Sequence, residues 1–348
     1  MNDLWNDLAL SGRPVALYGT GNGADKVMNE LEKRGISVCA MFASDGFVRE
    51  RYFRGFRVLS FSEFYERFPG VPVLMCFGSS RPEVLENVKK IASVCEFYAP
   101  DVPVYGEGVF DSAFHDSHRA ELEQVREKLS DEASRLCFDC HVNYKLSGDI
   151  SFLERCAVPR EAIENEFFRA SGHSFLDLGA YTGDTALVFD RLNPVRGKII
   201  AVEPDKRNFR KLISNTAEFD DIYHVNAACS DRDGTVSFDY SKGRGAHISE
   251  NGEKTVSRSV DGLVGEYGID CGKLFIKADV EGNELDVING AQNTVRKYAP
   301  GLCIACYHRN EDLFSLPLRV LKLYPDYKVY MRHSPHIPAW DTEYYFIR

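Results

Sequence analysis

No stretch of this sequence stays apolar for the roughly 20 residues needed to cross a bilayer. The first residues include acids and place no basic segment ahead of an apolar run, so no signal peptide is expected. Positive charge is in deficit: 42 Lys and Arg stand against 52 Asp and Glu, a net charge of −10. That argues against a chain that grips nucleic-acid backbone over a broad surface, although a small basic pocket stays open. The ten cysteines are scattered and read as buried reduced thiols, not as a disulfide framework. No short repeat is evident. These absences point to a cytoplasmic protein with no membrane span and no nucleic-acid partner.

What is present is a chain of 348 residues, enough for two domains at roughly 100–200 residues each. Apolar types make up 44% and charged types 27%, as in ordinary globular proteins. Strand and helix signals alternate from about residue 13 to 110, with strands expected at Val15–Tyr18, Ile36–Phe42 and Val71–Phe77. Residues 111–170 carry no strand-like run and read as helices joining two domains, with a helix start near Ser130. Alternation returns at Ser174–Leu178, Lys198–Val202, Ile222–Val225, Leu274–Ala278 and Leu302–Cys306. The last two runs, Tyr327–Met331 and Glu343–Ile347, have no helix signal between them and read as an antiparallel pair at one sheet edge. The expectation is α/β: a smaller Rossmann-like domain over 1–110, a helical connector over 111–170, and a mostly parallel sheet over 171–348.

The strongest local signal follows the Ser174–Leu178 strand. Asp177, Gly179, Ala180, Tyr181 and Gly183 lie on a strand that runs through a glycine turn into a helix. Glycines there let the backbone turn sharply and approach a ligand at the carboxyl end of the strand. The spacing is not that of a dinucleotide fingerprint, and the opening acid suits a positively charged ligand better than a pyrophosphate. A second acid, Glu203, ends the next strand, where acids commonly hold ribose hydroxyls. Both features fit a sulfonium nucleoside. Asp177, Gly179 and Gly183 resemble the first motif of class I methyltransferases, and Glu203 matches their ribose-binding acid. Asn226 and Ala227 fall where such folds wrap the adenine.

The segment from Ile276 to Ala291 is similar to the signature of FkbM-family methyltransferases, through Lys277, Asp279, Glu281 and Gly282. Residues 146–150, 248–252 and 259–263, together with Tyr307, His308 and Glu311, also look like that family, so the resemblance runs from about Leu129 to the end. It implies a class I fold, S-adenosylmethionine as cofactor, and methylation of a hydroxyl on a sugar, nucleotide sugar or glycan-like natural product.

Strand alternation puts Lys277, Asp279 and Glu281 on one face at a strand end, which suggests a cleft. Asp279 or Glu281 could orient an acceptor hydroxyl or take its proton, with Lys277 in support. His308 follows the neighbouring strand and is a candidate base for the same cleft. His333 and His336 are candidates for one wall, and His247 and Arg244 for a loop at the cleft mouth. Asp279, Glu281 and His308 would suit a divalent ion, but no compact ligand motif is present and no metal is expected.

Three further patterns carry less. Cys137, Cys140 and His141 match a haem-attachment spacing, but in a helical segment of a chain with no expected export signal. Cys303 and Cys306 sit on opposite faces of a strand and cannot readily share one zinc. Gly19 to Ala24 fits the dinucleotide fingerprint, with Asp45 at about the distance of a ribose acid. An oxidoreductase using that turn, or a scaffold with a vestigial pocket, are the rival readings. For the N-terminal domain, substrate docking or homodimer formation is expected ahead of nucleotide binding.

Overall fold

The computed structural model describes residues 3–48, 52–239, 247–248 and 252–348. The N-terminal part runs α1 (Leu4–Ser11), β1 (Val15–Tyr18), α2 (Asn22–Lys33), β2 (Val38–Ala43), β3 (Tyr52–Phe53), β4 (Phe56–Ser60), α3 (Phe61–Arg67), β5 (Val73–Met75), α4 (Pro82–Ala92) and β6 (Phe97–Tyr98). Its sheet has the order β3-β4-β2-β1-β5-β6 and is parallel except for the short β3. Four-residue β1 is buried throughout, as expected of a strand covered on both faces. The short strands β3, β4 and β6 carry no clear apolar run, which is why sequence periodicity passed them over.

Helices α5 (Ser112–Ser117), α6 (Arg119–Lys128), α7 (Glu132–Ser147), α8 (Ser151–Cys156) and α9 (Arg160–Phe167) follow. Asp131 caps α7 by accepting from the Ser134 N–H at 2.7 Å. The second sheet then builds from β7 (Ser174–Leu178), α10 (Asp184–Leu192), β8 (Ile199–Val202), α11 (Lys206–Asn215) and β9 (Ile222–Val225). A small four-stranded sheet of β10 (Ala228–Cys229), β11 (Gly234–Asp239), β12 (His247–Ile248) and β13 (Glu253–Arg258) interrupts it. The chain returns through α12 (Val260–Tyr267), β14 (Leu274–Ala278), α13 (Glu284–Gly290), α14 (Gln292–Tyr298), β15 (Gly301–Ala305), α15 (Asp312–Leu323), β16 (Lys328–His333) and β17 (Thr342–Ile347).

The seven-stranded order is β16-β17-β15-β14-β7-β8-β9. Only β17 runs antiparallel to its neighbours. The last strand of the chain thus inserts between β15 and β16. From β7 the chain moves outward through β8 and β9, then crosses back to β14. The crevice between the ends of β7 and β14 is therefore a topological switch point, where open α/β sheets bind ligands.

Both faces of this sheet are covered, and residues alternate between them. Leu176, Ile200, Ile276 and Ile304 join one apolar cluster with α6, α7 and the helices after β13. Phe175, Ile199, Phe275 and Cys303 join another with α9 and α10, in which Phe175 stacks on Phe189 at 4.3 Å. Each such aromatic contributes about 1.5–3 kcal/mol by leaving water. Cys303 and Cys306 fall in these two different clusters, as their spacing on a strand requires.

The segment 130–158 does more than join two units. Ser130 Oγ accepts from Val329 N–H at 2.8 Å, and Ser134 Oγ accepts from Met331 N–H at 3.0 Å. Val158 N–H donates to the His333 carbonyl at 2.9 Å. These bonds satisfy the outer side of β16 and close a sheet edge that would otherwise invite pairing. Contact with the N-terminal part is equally direct. Ser79 and Ile337 exchange two backbone bonds at 2.9 and 3.1 Å, and buried Lys145 pairs with buried Asp101. Among the described residues no helix is long and apolar enough to cross a membrane.

Candidate active site

A cleft of about 1270 Å³ opens at the carboxyl ends of β7, β8 and β14. Its floor includes Gly179, Tyr181, Glu203, Lys277, Asp279 and Glu281. Gly179 is where the loops after β7 and β14 meet. Its φ is 82°, and an added Cβ would lie 1.8 Å from the Asp279 carbonyl oxygen. Gly183 has φ 89° and caps α10.

Glu203 is 6% exposed, yet it sits at the cleft. Its carboxylate accepts from the Tyr181 and Asp205 N–H groups, each at 2.9 Å. Burial nevertheless pushes its pKa up to about 7, with those backbone bonds opposing. A raised folded pKa favours the protonated folded state. Stability from this group is full below about pH 4.5 and is lost as pH rises through about 7. Urea denaturation of wild type and Glu203→Gln, both ligand-free, should show wild-type stability falling relative to the variant across that window. A difference that stays constant or grows with pH would contradict this account.

Asp177 lies directly opposite Lys277 across the parallel β7–β14 pair. It is fully buried beneath the cleft floor, and neither carboxylate oxygen has a hydrogen-bond partner among the described residues. Lys277 Nζ stands 3.6 Å from Asp177 Oδ1 and 3.7 Å from Asp279 Oδ2. Burial raises the Asp177 pKa to about 6 against the pull of Lys277. Burial also works against the Lys277 charge, but Asp177 and Asp279 outweigh it and hold the ammonium protonated.

Strand β14 ends at Ala278, so strict alternation stops before Asp279. Glu281 reaches the cleft through a left-handed backbone, φ 56°. Tyr181 and Asp341, which also line the cleft, share this conformation at φ 48° and 55°. Such strain in non-glycine residues costs about 1–3 kcal/mol each and gathers where geometry is functionally constrained.

His308 is fully buried behind these carboxylates and does not line the cleft. Its Nδ1 is 3.0 Å from Glu284 Oε1, and its Nε2 is 3.6 Å from Asp279 Oδ1 and 3.5 Å from Glu281 Oε2. Burial lowers its pKa, but the three carboxylates overcome this and hold it well above the usual imidazole range. Asp279, desolvated yet flanked by Lys277, His308 and the Tyr307 hydroxyl at 3.0 Å, stays below the usual carboxylate range. Glu281 is raised, chiefly by burial. Asp279, Glu284 and His308 present ligand atoms within 4.8 Å of one another. However, Glu284 Oε1 already accepts from Val280 N–H at 2.9 Å and holds the loop together.

Other sequence candidates stand back from the cleft. Ala180 and Ala227 are buried, and Asn226 donates its side-chain amide to the Glu203 and Pro204 carbonyls. Ala228, Cys229 and Asn283 line that end instead. His333 is buried on Thr342 at 2.9 Å, and His336 faces the Pro338 carbonyl at 2.9 Å. Their neighbours Ser334 and Pro335 form the wall. Arg244 lies outside the described residues, and of His247 only the backbone is described. Sequence reading missed Arg160 and Glu343, paired at 2.9 Å on the cleft wall, and the facing N-terminal residues Ser80, Leu85, Glu86 and Lys89. No local pattern marks them, because they meet the site only through folding.

The N-terminal glycine turn is built for packing. A Cβ on Gly23 would lie 2.2 Å from the Cys76 carbonyl oxygen, and one on Gly19 would lie 2.5 Å from Phe77. Asp45 engages both carboxylate oxygens with Ser62. The adjacent cavity, about 270 Å³ and lined in part by Trp340, falls below the range of about 300–1,000 Å³ for small-ligand sites.

Residues 177–328 match the methyltransferase FkbM domain. Across 179 residues the chain is 30% identical to the 2-O-methyltransferase NoeI of Sinorhizobium fredii, covering 44% of this chain and 72% of that protein. The chain belongs to the FkbM methyltransferase family. It is a methyltransferase. The crystal structure of methyltransferase FkbM from Methylobacillus flagellatus KT superposes with a TM-score of 0.71 at 19% identity, over 97% of this chain and 90% of that one. That likeness concerns the fold, and it spans the N-terminal part as well as the methyltransferase sheet.

Proposed function

We propose that this FkbM-family enzyme transfers a methyl group from S-adenosylmethionine to a hydroxyl of a sugar-like acceptor in the cytoplasm. The observation that carries the reading is the cleft at the β7–β14 switch point, where buried Glu203 faces in just after β8 and Asp279 and Glu281 just after β14. Glu203 fits a ribose. Each of its oxygens accepts one backbone N–H and keeps lone pairs for ligand hydroxyls. Gly179 and Tyr181 would flank the amino-acid tail, with Asp177 and Lys277 setting the charge beneath. Ala180, Gly183, Asn226 and Ala227 would support the loops that shape this pocket. The cofactor supplies an electrophilic methyl on a sulfonium.

About 1270 Å³ exceeds the usual range of about 300–1,000 Å³ for one small ligand, so a second, sizeable molecule has room. The N-terminal wall, with Ser80, Glu86 and Lys89, offers the polar contacts a polyhydroxylated acceptor would use. NoeI, by its name, methylates an oxygen. In this reading Glu281 takes the hydroxyl proton and Asp279 orients the hydroxyl. His308, cationic behind them, positions both carboxylates. The N-terminal domain of residues 1–110 serves acceptor docking.

Calorimetry with S-adenosylmethionine tests this. Glu203→Ala should weaken binding by about 2–3 kcal/mol, roughly 30–150-fold, through lost hydrogen bonds to a charged group. His308→Gln should leave that affinity in place, lower kcat and move the acid limb of the rate profile to higher pH, because the cation that lowers Glu281 is gone. Wild type that binds no S-adenosylmethionine would sink the proposal. Unchanged turnover in His308→Gln would remove its role.

A further inference from the structure

Helix α7 carries Cys137, Cys140 and His141, and α8 ends on Cys156. All four are buried, and none lines the cleft. Cys137 and His141 are one helical turn apart and share a face, while Cys156 approaches from the next helix. Ligand atoms of Cys137, His141 and Cys156 all lie within 4.8 Å of one another, with Cys137 Sγ 3.8 Å from His141 Nδ1. Zinc bond lengths of about 2.0–2.3 Å put the ligand atoms of a tetrahedral site about 3.3–3.8 Å apart. The cluster of Cys137, His141 and Cys156 draws in by up to about 1 Å to reach that size.

The hydrogen bonding around His141 points the same way. Thr342 Oγ1 lies 2.8 Å from the Ala339 carbonyl, 2.8 Å from His141 Nε2 and 2.9 Å from His333 Nδ1. Its single proton can serve one of them. A carbonyl only accepts, so the hydroxyl donates there and both imidazoles donate to Thr342. With Nε2 held by Thr342, His141 turns Nδ1 toward the Cys137 thiol, 3.8 Å away, and the Cys137 carbonyl, 2.9 Å away. An imidazole fixed through its far N–H, with its near nitrogen facing thiols, is the usual second-shell arrangement of a zinc ligand.

We propose that Cys137, His141 and Cys156 bind a soft divalent cation of the zinc class. Thiolate and imidazole donors select such an ion over magnesium or calcium, which want oxygen. All three ligands are buried and none lines the cleft, so the site is structural, not catalytic. It would tie the α7–α8 hairpin to β17, which bears Thr342 and, on the cleft wall, Glu343.

The test uses the full chain, purified reduced and stripped of metal, then titrated with Co²⁺ and afterwards with Zn²⁺. The expected result is one equivalent of Co²⁺ with intense visible bands and near-ultraviolet thiolate charge transfer, displaced by Zn²⁺, and a thermal midpoint raised by either ion. The Cys137→Ser/Cys156→Ser variant should lose the charge-transfer band. If the reduced wild-type chain gives no cobalt bands and no thermal shift, the site is overturned, whether its thiols prove free or readily paired as a disulfide. Bands that persist unchanged in the double variant overturn the ligand assignment. The wild-type titration stands even if the variant fails to fold. Methyl transfer is read separately, so this proposal and the proposed reaction fail independently.

Discussion

Lys277→Met is expected to destabilise the chain by about 3–5 kcal/mol near pH 8 and to abolish methyl transfer. The substitution keeps the apolar stem and removes the ammonium. What remains is Asp177, fully buried with no hydrogen-bond partner among the described residues, facing Asp279 across the same strand ends. The cost comes mostly from the stranded carboxylate, because breaking a buried pair leaves an uncompensated charge. It follows that the penalty depends on pH. Asp177 already titrates near 6 with Lys277 in place, and losing the ammonium raises it further. A raised carboxyl is best tolerated below its unfolded value of 3.8, and its stabilising share disappears as pH rises through the folded one. Urea denaturation should therefore give a smaller difference between wild type and variant at pH 5 than at pH 8. Asp177→Asn added to Lys277→Met should recover much of the stability but none of the activity. An equal penalty at both pH values, or no recovery in the double variant, would mean the loss comes from packing and not from charge.

Gly179→Ala should cost about 2–5 kcal/mol, combining roughly 1–2 for a left-handed backbone and 1–3 for overpacking. The added methyl meets the Asp279 carbonyl oxygen at 1.8 Å, and that oxygen is backbone with no rotamer to escape into. Relief requires the ends of β7 and β14 to part, which widens the floor of the cleft and should remove cofactor binding as well. Gly12→Ala is the control. Its φ is 61°, but nothing lies within 4 Å of the new methyl, so only the conformational cost of about 1–2 kcal/mol applies. Thermal or urea melts of the two variants separate the terms. Equal losses would show that the close approach at Gly179 relaxes freely.

Much of this was legible in the chain. The central strands β7, β8, β14 and β15 are short, apolar runs bounded by turns, because a parallel sheet buries both faces of its strands. Asp177, Glu203, Lys277 and Asp279 stand out because a charged group at the end of such a run is costly to bury without a partner. The edge elements were less visible. Segment 130–158 reads as plain helix, and nothing local tells that Ser130 and Ser134 satisfy the outer side of β16. The strands β3 and β6, two residues each, are too short to show a period, and Arg57 interrupts the apolar run of β4.

By itself, then, the sequence determined the α/β class, the central strands, the two glycine turns and the resemblance to the family. Each rests on patterns within about ten residues, where backbone sterics and alternating burial act directly. Only the tertiary structure decided that His308 lies behind the carboxylates and not beside the acceptor. The same holds for the left-handed turn that brings Glu281 to the cleft and for the N-terminal wall of Ser80, Glu86 and Lys89. It also decided that Cys156 meets the thiol and imidazole groups of α7. These are contacts between distant segments, set by how helices and sheets pack, and packing leaves no local mark on the residues that come together.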